Sequence, residues 1–184
     1  ILHYLLNERD AKQQQETVGF LGVNLLYGCM FNSEHPKTLI KQLFDNISKG
    51  SIEIDMIQMN GPDFDYVDNR LLSLHLVKER MTDAVIFGPD GVNLQPSNVL
   101  YKKNILTIRG SFRPVTKVNI DMIKNGYNKF ITENKVKKED IQVLFEITLS
   151  NLTVEGEIDE QDFLDRADIL CSIGQTCLLY TSPS

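Results

Sequence analysis

After residue 50 the chain alternates short apolar, β-rich runs with stretches of helical spacing, and this alternation constrains the fold more than any other feature. The run "SIEIDMIQMN" alternates in character and closes at Gly61-Pro62. "DAVIF" ends in the turn sequence "GPDG", "NILTI" runs into a Gly-Ser turn, and "IQVLFEITL" is a longer strand pattern. Between them lie apolar residues at helical spacing: Leu71, Leu72, His75 and Leu76, then Ile120, Ile123, Tyr127, Phe130 and Ile131, then Phe163, Leu164, Ala167, Leu170 and Cys171. Short apolar strands separated by amphipathic helices predict an α/β fold, a mostly parallel sheet with helices on both faces. Such sheets bind ligands at the carboxyl ends of their strands.

Ahead of this part, residues 1–9 read as the end of a helix. Residues 16–31, "ETVGFLGVNLLYGCMF", are apolar almost all round, the pattern of a buried helix. Gly19, Gly22 and Gly28 would let a neighbour approach closely, each at a cost in helix stability. Pro36 suits a helix start, Leu39, Ile40, Leu43, Phe44 and Ile47 follow at helical spacing, and Gly50 stops the pattern. The expected organisation is an N-terminal helical segment over 1–50 and an α/β domain over 51–176. The closing "CLLYTSPS" resembles the translation of a sequencing-library adaptor. Residues 177–184 are therefore read as a non-native tail on an N-terminal fragment of a longer protein.

Composition narrows the function classes. With 25 acidic and 19 basic residues the formal net charge is −6, which disfavours a general nucleic-acid surface. The three cysteines show no metal-ligand spacing and read as reduced thiols of a cytoplasmic protein. No apolar run approaches the ~18 residues of a membrane span. Against this acidic background, Tyr101 to Ile120 holds Lys102, Lys103, Arg109, Arg113 and Lys117 and no Asp or Glu. The stretch contains the Gly110-Ser111 turn and a helix start at Thr116, a favourable N-cap. A helix N-terminus offers unbonded N–H groups and the positive end of the dipole, so this segment suits an anion such as phosphate.

The ten residues "GSFRPVTKVN" resemble the motif of the nucleotidyltransferase superfamily, in which a strand ends in Gly-Ser/Thr-Phe-Asp-Pro-Val-Thr/His and continues through x-Gly-His into a helix. Gly110, Ser111, Phe112, Pro114, Val115 and Thr116 match. Arg113, Val118 and Asn119 stand where that family has Asp, Gly and His. Longer segments, "RLLSLHLVKERMTDAVIFGPDG", "IRGSFRPVTKVNIDM" and "EGEIDEQDFLDRA" among them, resemble bacterial proteins labelled nicotinate-nucleotide adenylyltransferase, enzymes of NAD biosynthesis. The resemblance implies a Rossmann-like sheet, ATP as substrate, magnesium as an assisting ion, and transfer of AMP to a small-molecule nucleotide with release of pyrophosphate. Gly110, Ser111, Phe112 and Arg113 would then shape the phosphate turn. Thr116, Lys117 and Asn119 would stabilise charge at the α-phosphorus. Asn119 donates a hydrogen bond but carries no charge, which leaves two alternatives open: a non-catalytic nucleotide- or phosphate-binding protein, or an enzyme of another class.

Glu155, Glu157, Asp159, Glu160, Asp162, Asp165 and Asp168 read as the solvated face of an acidic helix rather than as a metal site. Glu146, inside an apolar strand, calls for a partner such as Arg109 or Arg113. His75 reads as a packed histidine, and Asp83, Asp90 and Asn93 as turn residues.

Overall fold

The computed structural model describes residues 1–133, 135–154 and 157–181. The chain divides into two compact units, Ile1–Asp83 and Ala84–Ser184. The strand at residues 52–57 thus belongs to the first unit, and the division lies well beyond the Gly50 position expected from sequence.

In the first unit, β1 (Leu2–Leu6) pairs antiparallel with β2 (Ile52–Ile57), Leu6 opposite Ile52 and Leu2 opposite Ile57. Residues 1–9, expected to end a helix, instead supply a strand, because Leu2, Tyr4 and Leu6 alternate toward the core. Helix α1 (Ala11–Phe31) starts at Asp10, whose carboxylate accepts from the amides of Lys12 and Gln13 at 3.0 Å. Helix α2 (Pro36–Gln42) opens on its proline, and α3 (Asn69–Lys78) on Asp68. Leu21, Leu39, Ile40, Leu43, Ile54, Leu72 and Leu76 form the core of this unit. Of the three glycines in α1, only Gly28 permits a close approach: a Cβ there would lie 2.9 Å from Leu39 Cγ, whereas one at Gly19 or Gly22 would meet nothing within 4 Å.

The second unit contains β3 (Ala84–Phe87), β4 (Asn93–Leu94), α4 (Pro96–Leu100), β5 (Asn104–Arg109), α5 (Lys117–Phe130) and β6 (Ile141–Thr148). The short pair β7 (Thr153–Val154) and β8 (Glu157–Ile158), then α6 (Glu160–Ser172) and β9 (Cys177–Tyr180), complete it. Its five-stranded sheet has the order β4-β3-β9-β6-β5. Strands β5 and β6 are parallel, as are β6 and β9, but β3 runs antiparallel to both β9 and β4.

The mostly parallel, Rossmann-like sheet predicted from sequence is therefore not the fold. Four of the six strand pairings among the described residues are antiparallel. Two physical causes account for it. The "GPDG" turn, with Gly91 at φ +74°, reverses the chain into a β3–β4 hairpin instead of a helical crossover. Strand β2 is taken up by β1 and contributes nothing to the larger sheet. Strand β5 covers the "NILTI" run and Arg109 and lies at the edge of the sheet, with Thr107 and Arg109 exposed.

The segment expected to be a foreign tail forms β9, which lies between β3 and β6 with Cys177 and Leu179 fully buried. Residues 182–184 of that tail lie outside the described residues. Among the described residues no helix is long and apolar enough to cross a membrane.

Candidate functional site

The turn that follows β5 is built around a buried phenylalanine. Arg109 ends the strand, and the Gly110 amide extends the ladder by donating to the Glu146 carbonyl at 3.4 Å. Phe112 then takes φ +49° and buries its ring to 1% exposure. The ring folds back over Gly110, where a Cβ would lie 3.0 Å from Phe112 Cε1, and meets the Phe145 ring at 5.2 Å between centroids. A side chain at Gly110 would thus crowd this ring by a few tenths of an ångström, and Phe112 is a core residue rather than a wall of a phosphate site.

Arg166, from α6, holds the next residue by donating from Nη1 to the Ser111 carbonyl at 3.0 Å. Its Nη2 donates to the Asn151 carbonyl at 3.0 Å and to the Asp162 carboxylate. Asp162 and Arg166 are both buried, and Arg113 Nε reaches the other Asp162 oxygen at 3.2 Å. Asp162 therefore departs from the solvated acidic face expected of α6: it is the buried junction of two guanidinium groups. Glu157, Asp159, Asp165 and Asp168 are exposed and Glu160 is half-buried, while Glu155 lies outside the described residues. Sequence reasoning missed Arg166 altogether. The signal was its place four residues after Asp162 on the same face as Phe163, Ala167 and Leu170.

The peptide bond between Arg113 and Pro114 is cis, and the chain then reaches Thr116, the N-cap of α5. Thr116 and Asn119 form a capping box. The Asn119 amide donates to Thr116 Oγ1 at 3.4 Å, and Asn119 Oδ1 accepts from the Thr116 amide and hydroxyl, each at 2.8 Å. The two side chains named for phosphate contact are thus engaged with each other in starting the helix. Asn119 retains its Nδ2 donors, and Lys117 and Val118 project from the first turn into solvent.

The basic stretch is largely neutralised by acids from distant segments. Lys103 pairs with Asp140 at 3.3 Å, Arg113 with Asp162, and Arg109 with Glu146 at 2.6 Å. The last pair supplies the partner that Glu146 required: the two residues face each other across the parallel β5–β6 register. Lys117 makes no ion pair among the described residues, and the first turn of α5 carries no acidic residue.

A cleft of about 360 Å³ lies beside the turn, bounded by Arg113, Pro114, Asp159, Asp162, Asp165 and Arg166. Its carboxylates give it the wrong sign for a nucleotide phosphate. They also do not fit magnesium. Both Asp162 oxygens face guanidinium groups, Asp159 caps α6 through the Asp162 amide at 2.9 Å, and Asp165 accepts from Gln161 at 2.8 Å.

The three histidines all belong to the first unit. His75 is buried in α3, His3 Nδ1 lies 2.5 Å from Asp55 Oδ1, and His35 precedes the first turn of α2. Asp90 is a turn residue, its carboxylate accepting from the Val92 amide at 3.1 Å. No protein-family model, curated protein or solved structure matches the chain.

Proposed function

We propose that the second unit binds the phosphate of a small-molecule nucleotide such as ATP at the N-terminus of α5, and that it does so without turnover. The observation that carries this reading is the first turn of α5, which has no acidic residue and presents the unpaired Lys117 at the positive end of a fourteen-residue helix. The amides of Lys117 and Val118, the Asn119 Nδ2 donors and the Lys117 ammonium form the donor set. Phosphate binding at such a set is electrostatic and geometric and involves no covalent chemistry.

Transfer of AMP to a mononucleotide would require donors aimed at charge developing on the α-phosphorus. The Thr116 hydroxyl is turned to Asn119 and the Arg113 guanidinium to Asp162, so two groups of that set are held by the protein itself. This favours the binding reading over the adenylyltransferase reading. Calorimetry with ATP tests it. Lys117→Ala should weaken binding about tenfold, the effect of losing one charge-assisted bond. Pyrophosphate release from ATP with nicotinate mononucleotide should stay at background. Unaltered affinity in Lys117→Ala would remove the proposed site, and sustained pyrophosphate release would restore the catalytic reading.

A further inference from the structure

Helix α1 reads as buried all round, yet the fold covers only one side of it. Thr17, Leu21 and Gly28 face the core of the first unit. The opposite side exposes Phe20, Val23, Leu26, Tyr27, Met30 and Phe31, at 46, 65, 67, 54, 73 and 66%. At 100° per residue these six span a continuous band along the last three turns of the helix. The Tyr27 and Phe31 rings pack on each other at 4.8 Å, so part of the band is already ordered. An apolar patch of this extent on a folded chain marks an interaction surface.

We propose that this face pairs with the same face of a second copy of the chain, the two α1 helices running antiparallel about a twofold axis near residue 25. The composition of the face selects this occupant. Between Thr17 and Phe31 there is no charged residue. Over that stretch a charged partner finds nothing to pair with, and the one basic residue of α1, Lys12, is paired with Glu16 at 3.9 Å, so a lipid surface meets no net positive charge on this face. An isologous contact needs only self-complementarity. With the axis near residue 25, Val23 faces Tyr27, Phe20 faces Met30, and Gly19 faces Phe31, so each pair sets a smaller or slimmer group against a larger one. Gly19 lies on this side of the helix, and space is open where its side chain would be.

The area is adequate for association. Three aromatic rings of ~150–250 Å² each, about half open, with three aliphatic or thioether side chains, place on the order of 600 Å² per copy in the contact, against ~800 Å² for a standard interface. The dissociation constant should then be of micromolar order.

Sedimentation velocity of the whole chain from ~1 to ~300 µM brackets that affinity. The wild-type chain should shift from one to two chain masses across the range. Val23→Glu places a charge at the centre of the face, and Gly19→Trp fills the space facing Phe31. Both substitutions point to solvent within one copy, so each variant should melt like the wild type and remain at one chain mass throughout. A wild-type chain that stays at one chain mass at the highest concentration would overturn the proposal, whether or not it sediments with phosphatidylcholine–phosphatidylserine vesicles. So would folded variants that dimerise as the wild type does.

Discussion

Phe112 adopts a backbone conformation that costs a non-glycine residue about 1–2 kcal/mol, and the burial of its ring, worth about 1.5–3 kcal/mol, offsets that cost. The same ring explains Gly110, so two of the six motif residues that match the nucleotidyltransferase pattern are accounted for by packing. Thr116 is accounted for by capping. At the two departures from that pattern the structure separates cost from benefit. Val118 is 66% exposed, so Val118→Gly opens no cavity and costs up to about 1 kcal/mol in helix propensity. Asn119→His removes the Oδ1 that closes the capping box, a further loss of about 1 kcal/mol. The double substitution, which restores the family residues, should therefore lower stability in urea by about 1–2 kcal/mol. It should bring no pyrophosphate release. A rise in turnover would show that these positions do address the reacting phosphate.

Helix α3 shows how a terminus can carry pH dependence. Burial raises the Asp68 carboxyl, but the Arg70 side chain and amide and the Leu71 amide together hold it below its ordinary value. Arg70 donates from Nε at 3.1 Å and from Nη2 at 2.8 Å. A depressed carboxyl stabilises the fold at pH values above its unfolded pKa, near 3.9, and that contribution fades as pH falls toward the lower folded value. Asp68→Ala should accordingly cost about 1 kcal/mol at pH 7 and progressively less below pH 4, as read from urea midpoints. A cost independent of pH would mean the carboxylate is not the active group. At this scale much was legible in the sequence. The bounds of β5, the Thr116 start of α5 and the apolar side of α6 follow from period and cap residues. Strand β1 was not legible, because five residues that include Leu5 read equally well as the last turn of a helix. The need of Glu146 for Arg109 or Arg113 was legible in the sequence, but the other two acids that neutralise the basic stretch were not: Asp140 and Asp162 lie dozens of residues from their partners, and only the β5–β6 register and the α6 packing bring them there.

At the scale of the molecule, each unit has its own core and its own sheet, and the direction of strand pairing was the least legible property. A run such as "DAVIF" specifies a buried strand but not its neighbour; the "GPDG" hairpin and the seat of β9 decide that β3 runs antiparallel. Cys177 to Tyr180 fill the place between β3 and β6, pairing with both, so a chain ending at Thr176 leaves two strand edges without a partner and removes Leu179 from the core. Losing one such leucine side chain alone costs about 2–5 kcal/mol, a large part of a typical domain stability, so the shortened chain should lose the cooperative melt of the second unit. An unchanged melt would show that β9 does not occupy that place. The anion site proposed at α5 can be watched one amide at a time. Addition of ATP to the ¹⁵N-labelled chain should move the backbone amide resonances of Lys117, Val118 and Asn119 first and most, in a saturable way, and inorganic phosphate should move the same set. If ATP leaves those three resonances in place, or moves mainly those lining the Arg113–Asp162 cleft, the phosphate does not bind at the α5 N-terminus and the proposed function is wrong.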